Sequence, residues 1–472
     1  MGGAVGWVVD HSAEISDRDA GSRLDATGER GYLTPALLVL AGGEPGMLAF
    51  STGNKVPGQT VIGRFAAVPS IANPRALVPL DGSRQALSRI LAQYAAGAAS
   101  PMSRLAGKLV ALACSAGLAP LVLRSRLGLV AADPETKASP LHRFLSGILG
   151  RSDFTISLRL APGRPNSKPV VQAVAADGSL LAYAKFGLDP LTKRLVRREG
   201  EVLAELAPLC SGTVVHIPAV LHRGPWNSLE ALVVSPLVGK GLMPRTVREV
   251  PAKIAEVVAG LRPRQQARLG TCACWQRMRE QAKDCIPALG PQAGNTVARA
   301  MDWVEKQWGL ETVAIGQSHG DWIPPNISVL ADGNCNIWDW ERGDADVPLG
   351  ADTLQFVSFV EMRRPMAGKP LAERVIAAGG EALARQGLPR QQAHMLMAFS
   401  LIRSLLWFGE ARFEGRTADV DQSFVKALES CMQTSATGQK TVARGGDTQM
   451  DATSAPIRGR QLIDKDKTAD VN

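Results

Sequence analysis

Residues His319 to Glu341 read HGDWIPPNISVLADGNCNIWDWE. Pro324 and Pro325 fix φ and remove two backbone donors, so the stretch around them is a stiff loop rather than a helix or a central strand. Asp321 and Asn326 stand at its two ends. Beyond Asn326, the arms ISVL and CNIW flank Asp332-Gly333, a dipeptide that favours a tight hairpin turn. A hairpin centred on that pair sets Leu330 opposite Cys335, Ile327 opposite Trp338 and Asn326 opposite Asp339. Residues opposed in this way lie about 4.5–5.5 Å apart. The open end would then carry Asn326 beside Asp339, with Asp321 one short loop away. Two carboxylates and an amide oxygen suit a hard divalent cation such as Mg²⁺.

The chain around this segment has 472 residues, a length that points to two or three domains. Hydrophobic residues make up 45% and charged residues 21%, a globular composition. The net charge of +9 is dispersed over short runs such as RLVRR and RPRQQAR rather than gathered in a block. No nucleic-acid partner is therefore expected. The seven cysteines are scattered apart from Cys272 and Cys274, and they read as small buried thiols in a reducing compartment. No secretory leader or bilayer-spanning segment is evident, so a cytoplasmic protein is expected. The longest apolar run, LVALACSAGLAPLVL (residues 109–123), reads as a buried helix. A helix lying on a membrane surface, flanked by Arg104, Lys108, Arg124 and Arg126, is the alternative, so peripheral membrane contact stays open.

Residues 1–79 read as a small β-rich region and residues 80–150 as a helical segment ending in a linker. Between 151 and 238, strands FTISLRLA, PVVQAVA and LLAYAKFG precede the helix LTKRLVRREGEVLAELAPL and two further strands. Residues 239–434 are mainly helical around the hairpin, and residues 435–472 have the composition of a disordered tail. A β-rich lobe followed by a helical one is an α+β two-lobe layout, with a ligand cleft expected between the lobes.

HxD, an asparagine five residues after the aspartate and a further aspartate beyond a hairpin resemble the catalytic segment of protein-kinase-like phosphotransferases. Glycine in HGD, with IWDWER and VPLGADTL downstream, resembles the aminoglycoside phosphotransferase and choline kinase branch, including an uncharacterised bacterial subgroup. The resemblance spans roughly residues 153–430. It implies a two-lobe kinase-like fold with an extra N-terminal α/β region, and ATP (or GTP) with Mg²⁺ as cofactors. It also implies a phosphoryl acceptor with a hydroxyl: a sugar, an aminoglycoside-like compound or an amino alcohol. Asp321 would act on the acceptor hydroxyl, Asn326 and Asp339 would hold Mg²⁺, His319 would brace the loop, and Asp352 would support it.

Such a site needs a strand lysine for the phosphates and a helix carboxylate to orient it. Lys185 ends the strand LLAYAK. Glu199 shares the inward stripe Leu195, Glu199, Val202, Leu206, and a carboxylate there calls for a cation. Lys185–Glu199 is the expected pair. Ser235 to Leu237 of VSPLVGKG would meet the nucleotide base through backbone groups. The loop RLAPGRPNSKPV has no GxGxxG; Arg164 and Lys168 read either as phosphate contacts or as solvated turn residues. Trp275, Trp303, Trp308, Trp322 and Trp340 suit sugar stacking or a helical core equally, and Asp344 and Asp346 read as solvated. The competing functional reading is a nucleotide-binding pseudokinase that senses or scaffolds.

Overall fold

The structure is a computed structural model that describes residues 23–24, 33–52, 60–96, 101–160, 166–239, 241–364, 369–416 and 418–442. The N-terminal half contains β1 (Arg23–Leu24), α1 (Thr34–Leu40), β2 (Leu48–Ser51), β3 (Thr60–Pro69), β4 (Pro74–Pro79), α2 (Arg84–Ala96), α3 (Pro101–Ser115), α4 (Ala119–Val122), β5 (Arg126–Ala131) and α5 (Pro140–Leu149). Next come β6 (Phe154–Arg159), β7 (Val170–Ala175), β8 (Leu180–Gly187), α6 (Pro190–Cys210), β9 (Val215–His216), β10 (Val220–Trp226) and β11 (Leu229–Val234).

All of these strands except β9 form one ten-stranded sheet, ordered β1-β2-β5-β3-β4-β6-β7-β8-β11-β10. The N-terminal region is therefore not a separate body. β4 joins it to β6 through the antiparallel pairs Ala76–Arg159 and Leu77–Leu158. A single apolar core runs across the seam, including Phe50, Leu77, Leu129, Leu158, Val171 and Phe186. The far side is tied as well: Asn227 Nδ2 donates to the Gly42 carbonyl (3.1 Å) and Ser228 Oγ to that of Gly43 (3.0 Å).

Two expectations for residues 80–150 fail here. Residues 126–131 are a strand, because a short Leu/Val run carries no period that separates strand from helix. The apolar run 109–123 is not a buried helix: Leu109, Leu112, Leu118, Leu121 and Val122 are exposed. Ala111 and Cys114 on its opposite side, and Leu123 at its end, are the residues of the run buried in the cluster with α2 and β4.

The second half is largely helical: α7 (Ala252–Gly260), β12 (Gln265–Arg268), α8 (Ala273–Leu289), α9 (Pro291–Trp308), β13 (Thr312–Ser318), β14 (Ile327–Val329), β15 (Cys335–Ile337), β16 (Asp344–Pro348), α10 (Ala351–Met362), α11 (Leu371–Arg385), α12 (Ala393–Phe413) and α13 (Gln422–Val442). α12 is buried along most of its length and is the axis around which α8, α9, α10 and α11 pack. A three-stranded sheet β12-β13-β16, absent from the sequence reading, carries the chain into the loop at His319. α13 extends regular structure beyond Thr434; the expected disordered tail otherwise lies outside the described residues, as does Arg164.

The hairpin β14–β15 is shifted by one residue from the expected register. Its pairs are Ile327–Ile337, Ser328–Asn336 and Val329–Cys335. Leu330 N–H donates to Asn334 O (2.9 Å) and Gly333, at φ 81°, returns its N–H to Leu330 O. Asp332-Gly333 is thus part of a three-residue loop with glycine in the left-handed position, not a two-residue turn. Trp338 N–H donates to Asn326 O (3.2 Å), so Asn326 opposes Trp338 and Asp339 stands one residue beyond.

Because the sheet and its core run through the seam at β4–β6, a chain truncated to begin at residue 151 would expose a long apolar edge. Such a chain is expected to be insoluble or to melt far below the full chain; a soluble, cooperatively melting product would contradict the shared core.

Candidate active site

Lys185 reaches the site through strand alternation. On β8, Ala182, Ala184 and Phe186 face the N-terminal core, which turns Tyr183 and Lys185 to the other side. α6 presents the partner. Its start is fixed by Pro190 in the first turn and by a reciprocal cap, in which the Asp189 side chain accepts from Thr192 N–H (2.9 Å) and Thr192 Oγ1 accepts from Asp189 N–H (3.2 Å). That phase buries Glu199 with Leu195, Val202 and Leu206.

Lys185 Nζ donates to both Glu199 oxygens at 2.7 Å and to Asp339 Oδ1 at 2.5 Å. Burial works against the lysine's charge, but Asp339 and Glu199 more than offset it and its pKa is raised. Asp339 is likewise opposed by burial, yet Lys185 and Lys168 hold its carboxyl well below the usual range. Asp339 sits at φ 72°, ψ 50°, a left-handed conformation uncommon outside glycine, which turns its carboxylate back toward Lys185.

The loop that carries Asp321 is braced from α10. The Asp352 carboxylate accepts from Ser318 Oγ (2.6 Å), His319 N–H (2.6 Å) and Gly320 N–H (3.2 Å). Arg403 lies 3.4 Å from the same carboxylate. Gly320 has φ 85°, and a Cβ there would fall 2.0 Å from Arg342 O, so no other residue fits. His319 is buried and its pKa is lowered chiefly by that burial. Asp321 N–H donates to His319 Nδ1 (3.2 Å), so Nε2 carries the proton it gives to Trp338 O (3.0 Å). His319 is a neutral brace between the loop and the hairpin.

Asn326 Nδ2 donates to Asp321 O and Oδ2, both at 2.9 Å, which points its amide oxygen away from that carboxylate. Burial, followed by the neighbouring charges of Asp339 and Glu341, pushes the Asp321 pKa up to about 7. The structure therefore brings Asp321, Asn326, Asp339, Lys185, Glu199 and His319 into one cluster. At the hinge, Ser235 N–H is spent on Ala219 O (2.8 Å), and Ser235 Oγ accepts from Ala219 N–H. The Ser235 carbonyl and its hydroxyl proton are left for a ligand, and the Leu237 backbone makes no hydrogen bond to another described residue.

Glu341 was not assigned a role from the sequence, although it stands two residues past Asp339 in the same WDWE run. It is buried, and Asn166 and Lys168 both donate to it. Lys168 is consequently a buried ion-pair partner, not a solvated turn residue. Glu199, Asp339 and Glu341 offer oxygens within 4.8 Å of one another. With Asp321 they form four acidic groups against the two ammonium groups of Lys168 and Lys185. The excess of carboxyl over ammonium groups and the all-oxygen donor set fit a divalent cation such as Mg²⁺.

The tryptophans resolve toward the core reading. Trp275, Trp322 and Trp340 are buried, and Trp303 and Trp308 pack on each other and on His394. Asp344 and Asp346 face Arg277 at the surface.

A cavity of about 220 Å³ opens on Asp321. Most of its wall area is apolar, from Ile323, Phe359, Met362, Leu401, Trp407, Phe408 and Phe424, and the polar residues Asn166, Arg342, Gln355, Ser358, Ser400 and Ser404 lie among them. Asp321 is the one carboxylate among its lining residues.

No family model matches the chain, and no curated protein sequence matches it. Solved structures of similar fold do exist. A choline kinase from Streptococcus pneumoniae aligns over 63% of this chain and 98% of its own at 14% identity, with a TM-score of 0.44. A thermostable mutant of an aminoglycoside phosphotransferase aligns over 63% and 99% at 15% identity, with a TM-score of 0.41. An aminoglycoside phosphotransferase from Streptomyces rimosus in complex with ADP and streptomycin aligns over 56% and 98% at 16% identity, with a TM-score of 0.36. The likeness is one of fold.

Asp352→Ala would leave two backbone N–H groups and the Ser318 hydroxyl without their acceptor, and Arg403 without its counter-ion. The expected loss is about 2–4 kcal/mol of stability, read as a lower midpoint in chemical denaturation. A midpoint within error of wild type would show that the brace is dispensable.

Proposed function

We propose that this chain is an ATP-dependent phosphotransferase that moves a phosphoryl group to the hydroxyl of a small, largely apolar molecule. The observation that carries this reading is the position of Asp321: it lines the cavity, bonds to Asn326, whose carbonyl accepts from Trp338 N–H next to Asp339, and lies within the field of the Asp339 carboxylate that pairs with Lys185. An acceptor hydroxyl in the cavity would meet the carboxylate, and the phosphates would lie toward the lysine. A new bond from the acceptor oxygen to phosphorus forms as the bond from phosphorus to the ADP oxygen breaks, and the hydroxyl proton passes to Asp321. Lys185 neutralises phosphate charge from a position held by Glu199. Asn326, through its amide oxygen, and Asp339 are the proposed ligands of Mg²⁺, with Glu341 beside them. Bound there, the ion supplies charge stabilisation to the phosphate oxygens. Catalysis on this scheme is positioning plus electrostatics.

The cavity wall supports an apolar acceptor over a polycationic one. Buried ammonium groups need carboxylate partners, and beyond Asp321 the lining residues supply none. Arg342 adds positive charge to the wall while paired to Glu410 at 2.7 Å, and its guanidinium covers the Trp407 ring at 5.0 Å. That aromatic face is not free for a quaternary ammonium group. Ser358 Oγ is buried without a hydrogen-bond partner among the described residues and offers an acceptor or donor to a bound alcohol.

The test is Mg²⁺-dependent ATP turnover by the purified chain, first alone and then with aliphatic, aromatic and terpenoid alcohols beside aminoglycosides and choline. Stimulation is expected from the apolar alcohols. Asp321→Asn is expected to lower kcat by roughly 10²–10⁴-fold with ATP affinity little changed, whereas Lys185→Met weakens nucleotide binding as well. ATP binding without turnover under any acceptor would favour a nucleotide sensor, and absence of Mg²⁺-ATP binding by the folded chain would overturn the reading. Leu401→Arg, which places a charge in the cavity wall, is expected to raise KM for the alcohol severalfold without moving KM for ATP.

A further inference from the structure

The helix α3 and the short α4 that follows present an apolar face that nothing in the described chain covers. Met102 (75% exposed), Leu105, Leu109 (58%) and Leu112 (65%) succeed one another at spacings of three, four and three residues. The opposite side is fixed to the protein: a Cβ on Gly107 would fall 2.5 Å from the Ala95 Cβ of α2, and Ala111 and Cys114 are buried. At 3.6 residues per turn the four apolar side chains centre on the side of α3 facing away from Gly107. Leu118 and Leu121 of the adjoining segment are also exposed and continue the apolar surface along the chain. Scattered exposed leucines are ordinary, but a continuous helical stripe marks an interaction surface.

Charge identifies the partner. Between Asp81 and Asp133 the sequence holds Arg84, Arg89, Arg104, Lys108, Arg124 and Arg126 and no acidic residue. Lys108 and Arg104 flank the stripe on one side of α3, and Arg124 follows α4; Lys108 and Arg124 are exposed. Arg126 is turned back onto α4, donating to Leu123 O (3.2 Å) and Pro120 O (2.6 Å). An apolar stripe bordered only by cations is the pattern of a helix that lies in the headgroup region of an anionic bilayer. None of the described helices is long and apolar enough to cross a membrane. We propose that α3 and α4 form a docking face for an anionic lipid bilayer, with the leucines entering the acyl boundary and the basic residues meeting lipid phosphates. This face does not depend on the identity of the acceptor or on the phosphotransferase reading.

Sedimentation of the full chain with vesicles of phosphatidylcholine alone, and of phosphatidylcholine with phosphatidylglycerol, tests the proposal. Wild type is expected to pellet with the anionic vesicles and to be released as salt is raised. The combined Leu105→Gln, Leu109→Gln and Leu112→Gln variant is expected to lose vesicle affinity on the order of tenfold or more while its melting temperature stays within a few degrees. Lys108→Glu with Arg124→Glu, which leaves the apolar stripe intact, is expected to abolish the preference for anionic over neutral vesicles. Wild type that pellets with neither vesicle overturns the proposal. So does a wild-type dimer in solution that the leucine variant converts to monomer, because the face would then join two copies of this chain.

Discussion

A buried ammonium group shared by two carboxylates governs the geometry of this protein. Lys185 comes from a strand, Glu199 from the following helix, and Asp339 from beyond the hairpin more than a hundred residues later. Removing one partner of such a cluster leaves an uncompensated buried charge, a penalty of about 3–5 kcal/mol. Each element therefore has one acceptable placement. A one-residue slip of β8 would drive Lys185 into the apolar core and Phe186 into the cleft. A rotation of α6 would withdraw Glu199, and an ordinary backbone conformation at Asp339 would aim its carboxylate elsewhere.

The N-terminal strands bear on this indirectly. In a five-stranded lobe β6 would be an edge with unpaired backbone groups. Here β4 pairs with it, and the contacts of Asn227 and Ser228 with Gly42 and Gly43 tie the α1–β2 connection to the β10–β11 turn. α5 packs across the same layer, where Phe144 stacks on Trp226 with centroids 4.4 Å apart. The strand carrying Lys185 lies between β7 and β11, and the N-terminal strands keep β6, two places away, from being an edge.

The sequence reading reached the pairing of Lys185 with Glu199 and the convergence of Asp321, Asn326 and Asp339 more readily than the architecture, and the reasons differ by residue. Lys185 and Glu199 were legible because an ionisable group in an apolar stripe has few ways to be satisfied. Asp321, Asn326 and Asp339 were legible because a rigid loop and a hairpin leave little freedom in where their ends arrive. The register of that hairpin was misjudged, since Asp-Gly serves two-residue turns and three-residue bulged loops alike, and backbone hydrogen bonds decide between them. Glu341 was passed over because an acid beside a site looks like any other until Lys168, distant in sequence, is seen to fold onto it. The junction of β4 with β6 depends on long-range pairing that no local period records. The exposed side of α3 was misread for a related reason: periodicity reports that a helix has an apolar face, not what that face meets.

The short strand β9 has a consequence for control of the site. Immediately after α6 the chain lays Val215 and His216 parallel to Cys335 and Asn336 of the hairpin that delivers Asp339. The helix bearing Glu199 is thus fastened, within a few residues of its end, to the element bearing its electrostatic counterpart. An outward swing of α6 that parted Glu199 from Lys185 would also have to break the pairing of β9 with β15. The pairing favours the assembled cluster, and on the function proposed above control would come from access of ligands rather than from parting Lys185 and Glu199.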